Sequence, residues 1–156
     1  MPIPTTLNNR TQDLAASLWA WLAAQAGVTA QVPVGRWLLP GDEDQDSDTW
    51  DDWLEPVLID TPGAPSRGSG ELRVLLDVGI GVRPSSGSIY RREVIADALV
   101  KVLANARVLI QHTDDGALFT DVGILRMMDP RVVFSRGKVD GLYRATVTVS
   151  GYVTPA

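Results

Sequence analysis

The stretch Glu71-Leu72-Arg73-Val74-Leu75-Leu76-Asp77-Val78-Gly79-Ile80-Gly81-Val82-Arg83 decides the fold class of this chain. Every even position in it is apolar, whereas Glu71, Arg73, Asp77, Gly79, Gly81 and Arg83 occupy odd ones. Successive side chains of a strand leave on opposite faces. The period of two therefore predicts a strand with one face on a core and the other turned to water or to another subunit. Gly79 and Gly81, inside the run, predict close packing or a bulge rather than a phosphate-binding loop.

A second alternating run lies at the other end of the chain. Tyr143, Ala145, Val147, Val149, Gly151 and Val153 alternate with Arg144, Thr146, Thr148, Ser150 and Tyr152. Asp140-Gly141 before it predicts a hairpin turn back to a strand over Arg131 to Phe134. Short strands are also expected at Val108 to Ile110, Ala117 to Phe119 and Ile124 to Met127, separated by turn residues. Between the two long runs, Val94, Ile95, Ala98, Leu99, Val102 and Leu103 recur with helical spacing. They define a helix from about Ser88 to Asn105, with Arg91, Arg92, Asp97 and Lys101 on its polar side.

Towards the N-terminus, Thr11 suits a helix N-cap, Asp13 the first turn and Gly27 the C-terminal stop, which predicts a helix from about Thr11 to Ala26. Leu14, Leu18 and Leu22 form one row of it and Ala15 with Trp19 the next, while Trp21 widens the apolar surface. Ala24-Gln25-Ala26 imitates a signal-peptide cleavage site, but Asp13 and the single basic Arg10 weigh against a leader. Val28 to Leu39 reads as an extended segment or edge strand ending at the Pro40-Gly41 turn. Trp50 to Ile59 reads as a strand broken by Pro56.

These elements predict a single α+β domain over residues 1–156, a mostly antiparallel sheet packed against two main helices. An acidic loop near 41–52 and a small-residue loop near 63–70 are set into it. A length of 156 residues suits one core, and the 45% hydrophobic content is that of a globular chain. The absence of Cys excludes disulfides, thiolate nucleophiles and Cys-ligated zinc. A net charge of -5 opposes the broad basic footprint of nonspecific nucleic-acid binding, and no stretch is suited to crossing a membrane.

Charge is segregated along the chain. Asp42, Glu43, Asp44, Asp46, Asp48, Asp51, Asp52 and Glu55 form a base-free stretch, whereas most bases follow Arg73, so an acidic patch on one copy can meet a basic patch on another. Asp44, Asp46, Asp48 and Glu55 also take positions 1, 3, 5 and 12 of an EF-hand calcium loop. Thr49 stands where that loop needs Gly, and Asp51 where it needs an apolar residue. A solvated or contact-making loop is the expectation, with no metal and no cofactor.

His112, Asp114 and Asp115 fall in an expected turn ending at Gly116, with no matched nucleophile, and no Ser lies in a nucleophile elbow. An enzyme is the class with least support. Arg91 and Arg92 oppose the dipole at the start of their helix, which suits either solvent or acids on a partner. Interface candidates are thus Trp19, Trp21, Trp50 and Trp53, with Asp42, Asp44, Asp46, Asp48, Arg91 and Arg92, because Trp and Arg dominate interface energetics.

The element order, with Trp53-Leu54-Glu55-Pro56-Val57, the Leu72 to Val82 strand, the Arg91 to Leu103 helix and the closing Tyr143-Arg144-Ala145-Thr146-Val147-Thr148-Val149, resembles the tail-terminator and tail-completion proteins of long-tailed phages. The resemblance implies a virion subunit, assembled in the host cytoplasm, that forms a homo-oligomeric ring, a hexamer. Such a ring caps the tail tube protein and joins it to the head-tail connector protein. Another head-tail joining or neck protein, and a calcium-dependent or ligand-binding module using the acidic loop, remain as alternatives.

Overall fold

The computed structural model describes residues 7–40, 49–60, 72–84, 88–114 and 117–155. The acidic positions 42–48, the 63–70 loop and the turn positions 115–116 lie outside the described residues. Six strands form one curled antiparallel sheet: β1 (Asp52–Asp60), β2 (Leu72–Val82), β3 (Arg107–Asp114), β4 (Ala117–Met127), β5 (Arg131–Val139) and β6 (Leu142–Pro155). Helices α1 (Leu7–Ala23), α2 (Ala26–Thr29) and α3 (Ser88–Leu103) complete a sheet-dominated α+β fold.

The two alternating runs are direct neighbours. β2 pairs with β6 from Leu72 opposite Val153 to Val82 opposite Tyr143, so their apolar faces coincide. Val74, Leu76, Val78, Ile80 and Val82 are buried there with Ala145, Val147, Val149 and Val153. The strand order is β1-β2-β6-β4-β3. The far edge of β6 is shared, with β5 on its first half and β4 on its last, and this division makes β6 the centre of the sheet.

Among the described residues, helices cover one face of the sheet: α3 lies on β2 and β6, and α1 on β3. Leu14, Leu18 and Leu22 of α1 are buried, as their i, i+4 row predicts, and each such burial contributes about 1.5–3 kcal/mol. The face of α3 is rotated from the expectation. Arg92, Ile95, Ala96, Leu99 and Leu103 are buried, while Val94 is 45% exposed. Arg92 therefore belongs to the packed side and Val94 to the outer one, because β5 and β6 supply acceptors for a buried guanidinium, described below.

The N-terminal third departs most from expectation. α1 begins at Leu7 and ends at Ala23, so Thr11 and Asp13 are interior and Gly27 falls within α2. Its last turn is closed by the Gln25 side-chain amide, which donates to the Trp21 carbonyl at 3.0 Å. Val28 to Leu39 is not a strand. It holds the end of α2, a 3-10 turn at Val34–Arg36 and one parallel bridge between Trp37 and Leu54. Pro33, with φ -58, starts that turn, and Trp37 anchors the segment by donating its indole N–H to the Val32 carbonyl at 2.8 Å.

Three further boundaries differ. β1 continues through Pro56, since it is an edge strand, where proline is tolerated. The two short candidates at 117–119 and 124–127 are one strand, β4. β3 runs through His112 to Asp114, absorbing two register irregularities against β4 where a turn is expected. The β5–β6 turn is as predicted: Asp140 (φ 51) and Gly141 (φ 77) give the doubly left-handed geometry of a type I′ hairpin.

Candidate functional site

The face of the sheet away from α1 and α3 carries the odd positions of β2 and their neighbours. At its β1 end, Trp53 opposes Gly81 and Glu55 opposes Gly79. Trp53 is only 2% exposed, yet it stands apart from the main hydrophobic core. Its indole lies across Gly81, the Arg83 guanidinium stacks 5.2 Å from the ring centroid, and its N–H donates to Glu55 Oε1 at 2.8 Å. Arg144 donates to Glu55 Oε2 at 3.3 Å from β6, reaching across β2. The two glycines expected to mark close packing do so.

Asp52, also buried, joins three segments distant in sequence. Its Oδ1 accepts from Arg36 Nη2 at 2.8 Å and its Oδ2 from Arg91 Nε at 2.8 Å. Arg91 also donates to the Gln31 side chain at 2.6 Å and to the Gln31 carbonyl. The start of α3, the segment after α2 and the start of β1 are thereby fastened to one carboxylate. Charge-assisted bonds of this kind are about twice as strong as neutral ones.

Arg92 fastens α3 to the β5–β6 hairpin. Its Nη1 donates to the carbonyls of Ser135 (3.0 Å) and Arg144 (2.9 Å), and its guanidinium stacks 4.9 Å from the Phe134 centroid. The arginine pair read as facing solvent or a partner thus has its partners within the chain. Trp19 and Trp21 are partly buried against the core, Trp50 is half-buried, and Trp53 is enclosed as described. Asp42, Asp44, Asp46 and Asp48 lie outside the described residues.

Further along the same face, exposed apolar side chains are spread over three strands. Val57 is 39% exposed, Val133 63% and Leu109 46%. Val57 and Val133 sit on adjacent cross-strand rows through β2 and β6, one with Asp77 and Thr148, the other with Gly79 and Thr146. Thr148 donates to Asp77 at 2.6 Å, which leaves that carboxylate partnered. Among the described residues, no three metal-binding side chains come together. What this face offers is a wide surface of mixed apolar and cationic character, suited to binding another surface.

Glu55, the twelfth position of the calcium-like spacing, is a strand residue engaged by Trp53 and Arg144. Arg36, Arg83, Arg144 and Gln31 were not singled out from sequence. Their roles come from pairings across 16 to 89 residues of chain, which leave no local signal. No protein-family model and no curated protein matches the chain.

Proposed function

We propose that this chain is a structural subunit of a phage virion, a tail terminator whose copies form a ring that caps the tail tube and joins it to the head connector. The observation that carries the reading is the six-stranded sheet covered by helices on one face, with Val57, Leu109 and Val133 exposed on the other. A sheet face that the described helices leave uncovered is available to a neighbouring copy, which is what a ring subunit uses. Closing a ring needs a heterologous contact, in which two different patches of one subunit meet. The base-free acidic stretch 42–55 and the excess of bases over acids after residue 72 are the two sequence features that favour such a contact.

The test is light scattering of the purified protein alone and with isolated tail tubes, followed by electron microscopy of the tube ends. The expected result is a species of six times the 16.9 kDa chain mass, or a ring seated on the tubes. A monomer at high concentration that also leaves tube ends bare would overturn the reading.

A further inference from the structure

Two surfaces of this chain carry exposed apolar side chains that its own packing does not use, and they lie on opposite sides of the molecule. The first is a band across β1, β2, β6 and β5, on the sheet face that the described helices leave uncovered. Two cross-strand rows make it: Val57, Asp77, Thr148 and Arg131 in one, Glu55, Gly79, Thr146 and Val133 in the other. Val57 at the β1 margin and Arg131 with Val133 at the β5 margin are exposed. The floor between them is short, consisting of Gly79, two threonines and an Asp77 carboxylate bonded to the Thr148 hydroxyl. Four strands at about 4.8 Å per spacing set the margins about 14 Å apart, and an α-helix with its side chains is about 10–12 Å across. The band has the width of one helix.

The second surface is the outer side of α3. Ile95, Leu99 and Leu103 bury the inner side, yet Tyr90 is 73% exposed, and Val94, one turn on, is exposed with it. Glu93 and Asp97 are exposed beside them, about 6 Å apart along the axis. Neither acid forms an ion pair with a described residue, and on the band the same holds of Arg131. Next to Val94 and Asp97 a cleft of about 420 Å³ opens between α2 and α3, with Gly27, Gln31 and Lys101 on its other sides.

We infer that α3 of a second copy lies in this band, with the β5 margin of the first copy entering the cleft beside α3, so that Val133 meets Val94 and Arg131 meets Asp97. The inference rests on the ring reading above and adds to it the two surfaces that meet. Charge favours this occupant, since the helix brings carboxylates without partners to a margin that holds an arginine without one. Layering favours it too. An antiparallel sheet with helices on one face gains a third layer when a neighbour supplies a helix to the other.

The contact must join copies. In its own subunit α3 is packed on the opposite face of the sheet, fastened there by Arg92 to β6 and by Arg91 to Asp52. It cannot turn to its own band. Two different patches on opposite sides of one subunit make a heterologous, head-to-tail contact, the kind that a ring requires.

The test is cross-linking of the full chain, which contains no Cys, so that an introduced pair reports one contact. Both positions are exposed, and unchanged thermal unfolding establishes that the variants fold. V94C/V133C bridged with a short bis-maleimide should give a denaturing-gel ladder from dimer up to the ring number. Either single variant should stay monomeric, and an equimolar mixture of the two should stop at dimer. In sedimentation velocity D97R and R131E should each raise the half-assembly concentration at least about tenfold, and D97R/R131E should recover most of that loss, because the reversed pair again attracts. A monomeric wild type that leaves tube ends bare overturns the ring reading and this contact with it. Rings that give no ladder overturn this contact alone, and dimers from V94C by itself would replace it with a two-fold pairing of α3 helices. Rings without a ladder, in which the V133C thiol is protected only on tail tubes, would assign the band to the tube protein instead.

Discussion

The indole of Trp53 lies so close over Gly81 that a β-carbon at residue 81 would come within 2.5 Å of the ring. Gly81→Ala must displace a side chain that is enclosed, stacked by Arg83 and hydrogen-bonded to Glu55. We expect a loss of about 1–3 kcal/mol in urea unfolding, with Trp emission shifted to the red. Gly79→Ala is the control. Its new methyl would meet Glu55 Cβ at 3.3 Å, a contact a small movement relieves, so its effect should be smaller.

Arg92 predicts a second outcome. One guanidinium bridges the carbonyls of Ser135 and Arg144 while stacking on Phe134, geometry that a lysine ammonium does not reproduce. Arg92→Lys keeps the charge and loses the planar fork, so the β5–β6 hairpin should open more often. Amide exchange of β5 should rise several-fold while that of β2 stays unchanged. Equal exchange in both strands would remove the clamp role.

The two long strands β2 and β6 were legible because both alternate strictly and one face of each must be buried; their direct pairing and its register were not, since a slip by two residues leaves the apolar faces aligned. The Asp140-Gly141 turn was legible because only a few residues adopt two successive positive φ values. The Val28 to Leu39 segment was not, since its β-branched residues favour a strand, whereas the Trp37 indole folds back on Val32 and the segment is held by Leu38 donating to Leu54, a contact with a distant strand. Arg92 was misplaced for a related reason. Helical periodicity assigns an arginine to the polar face unless a distant strand brings carbonyls to it.

Asp52 carries a third prediction. Asp52→Ala removes the shared acceptor of Arg36 and Arg91 and leaves two cations near each other. Each arginine side chain is about a third exposed, at 35% and 32%, so water recovers part of the loss. The expected cost is about 1–3 kcal/mol in urea unfolding, with the m-value unchanged.

Val78 is fully buried between α3 and the sheet, at the midpoint of the β2–β6 ladder. Val78→Asp places an unpaired carboxylate there and should cost several kcal/mol, measured as a large fall in the thermal midpoint. An unchanged midpoint would mean that the buried face of β2 is assigned to the wrong side.

The last prediction concerns calcium. The acidic spacing assigns Glu55 the twelfth position, whose two carboxylate oxygens close an EF-hand loop around the ion. In this fold Oε1 accepts from the Trp53 indole and Oε2 from Arg144, on the outer face of a strand. A calcium ion would have to displace an indole N–H and a guanidinium to gain that ligand. Clustered carboxylates still attract cations diffusely, and salt screens that attraction without screening direct coordination. Calorimetric titration at about physiological ionic strength should therefore give no saturable one-to-one isotherm, and Glu55→Gln should leave the weak residual heat unchanged. A stoichiometric isotherm lost in Glu55→Gln would establish a calcium site and require Glu55 to leave both of its partners.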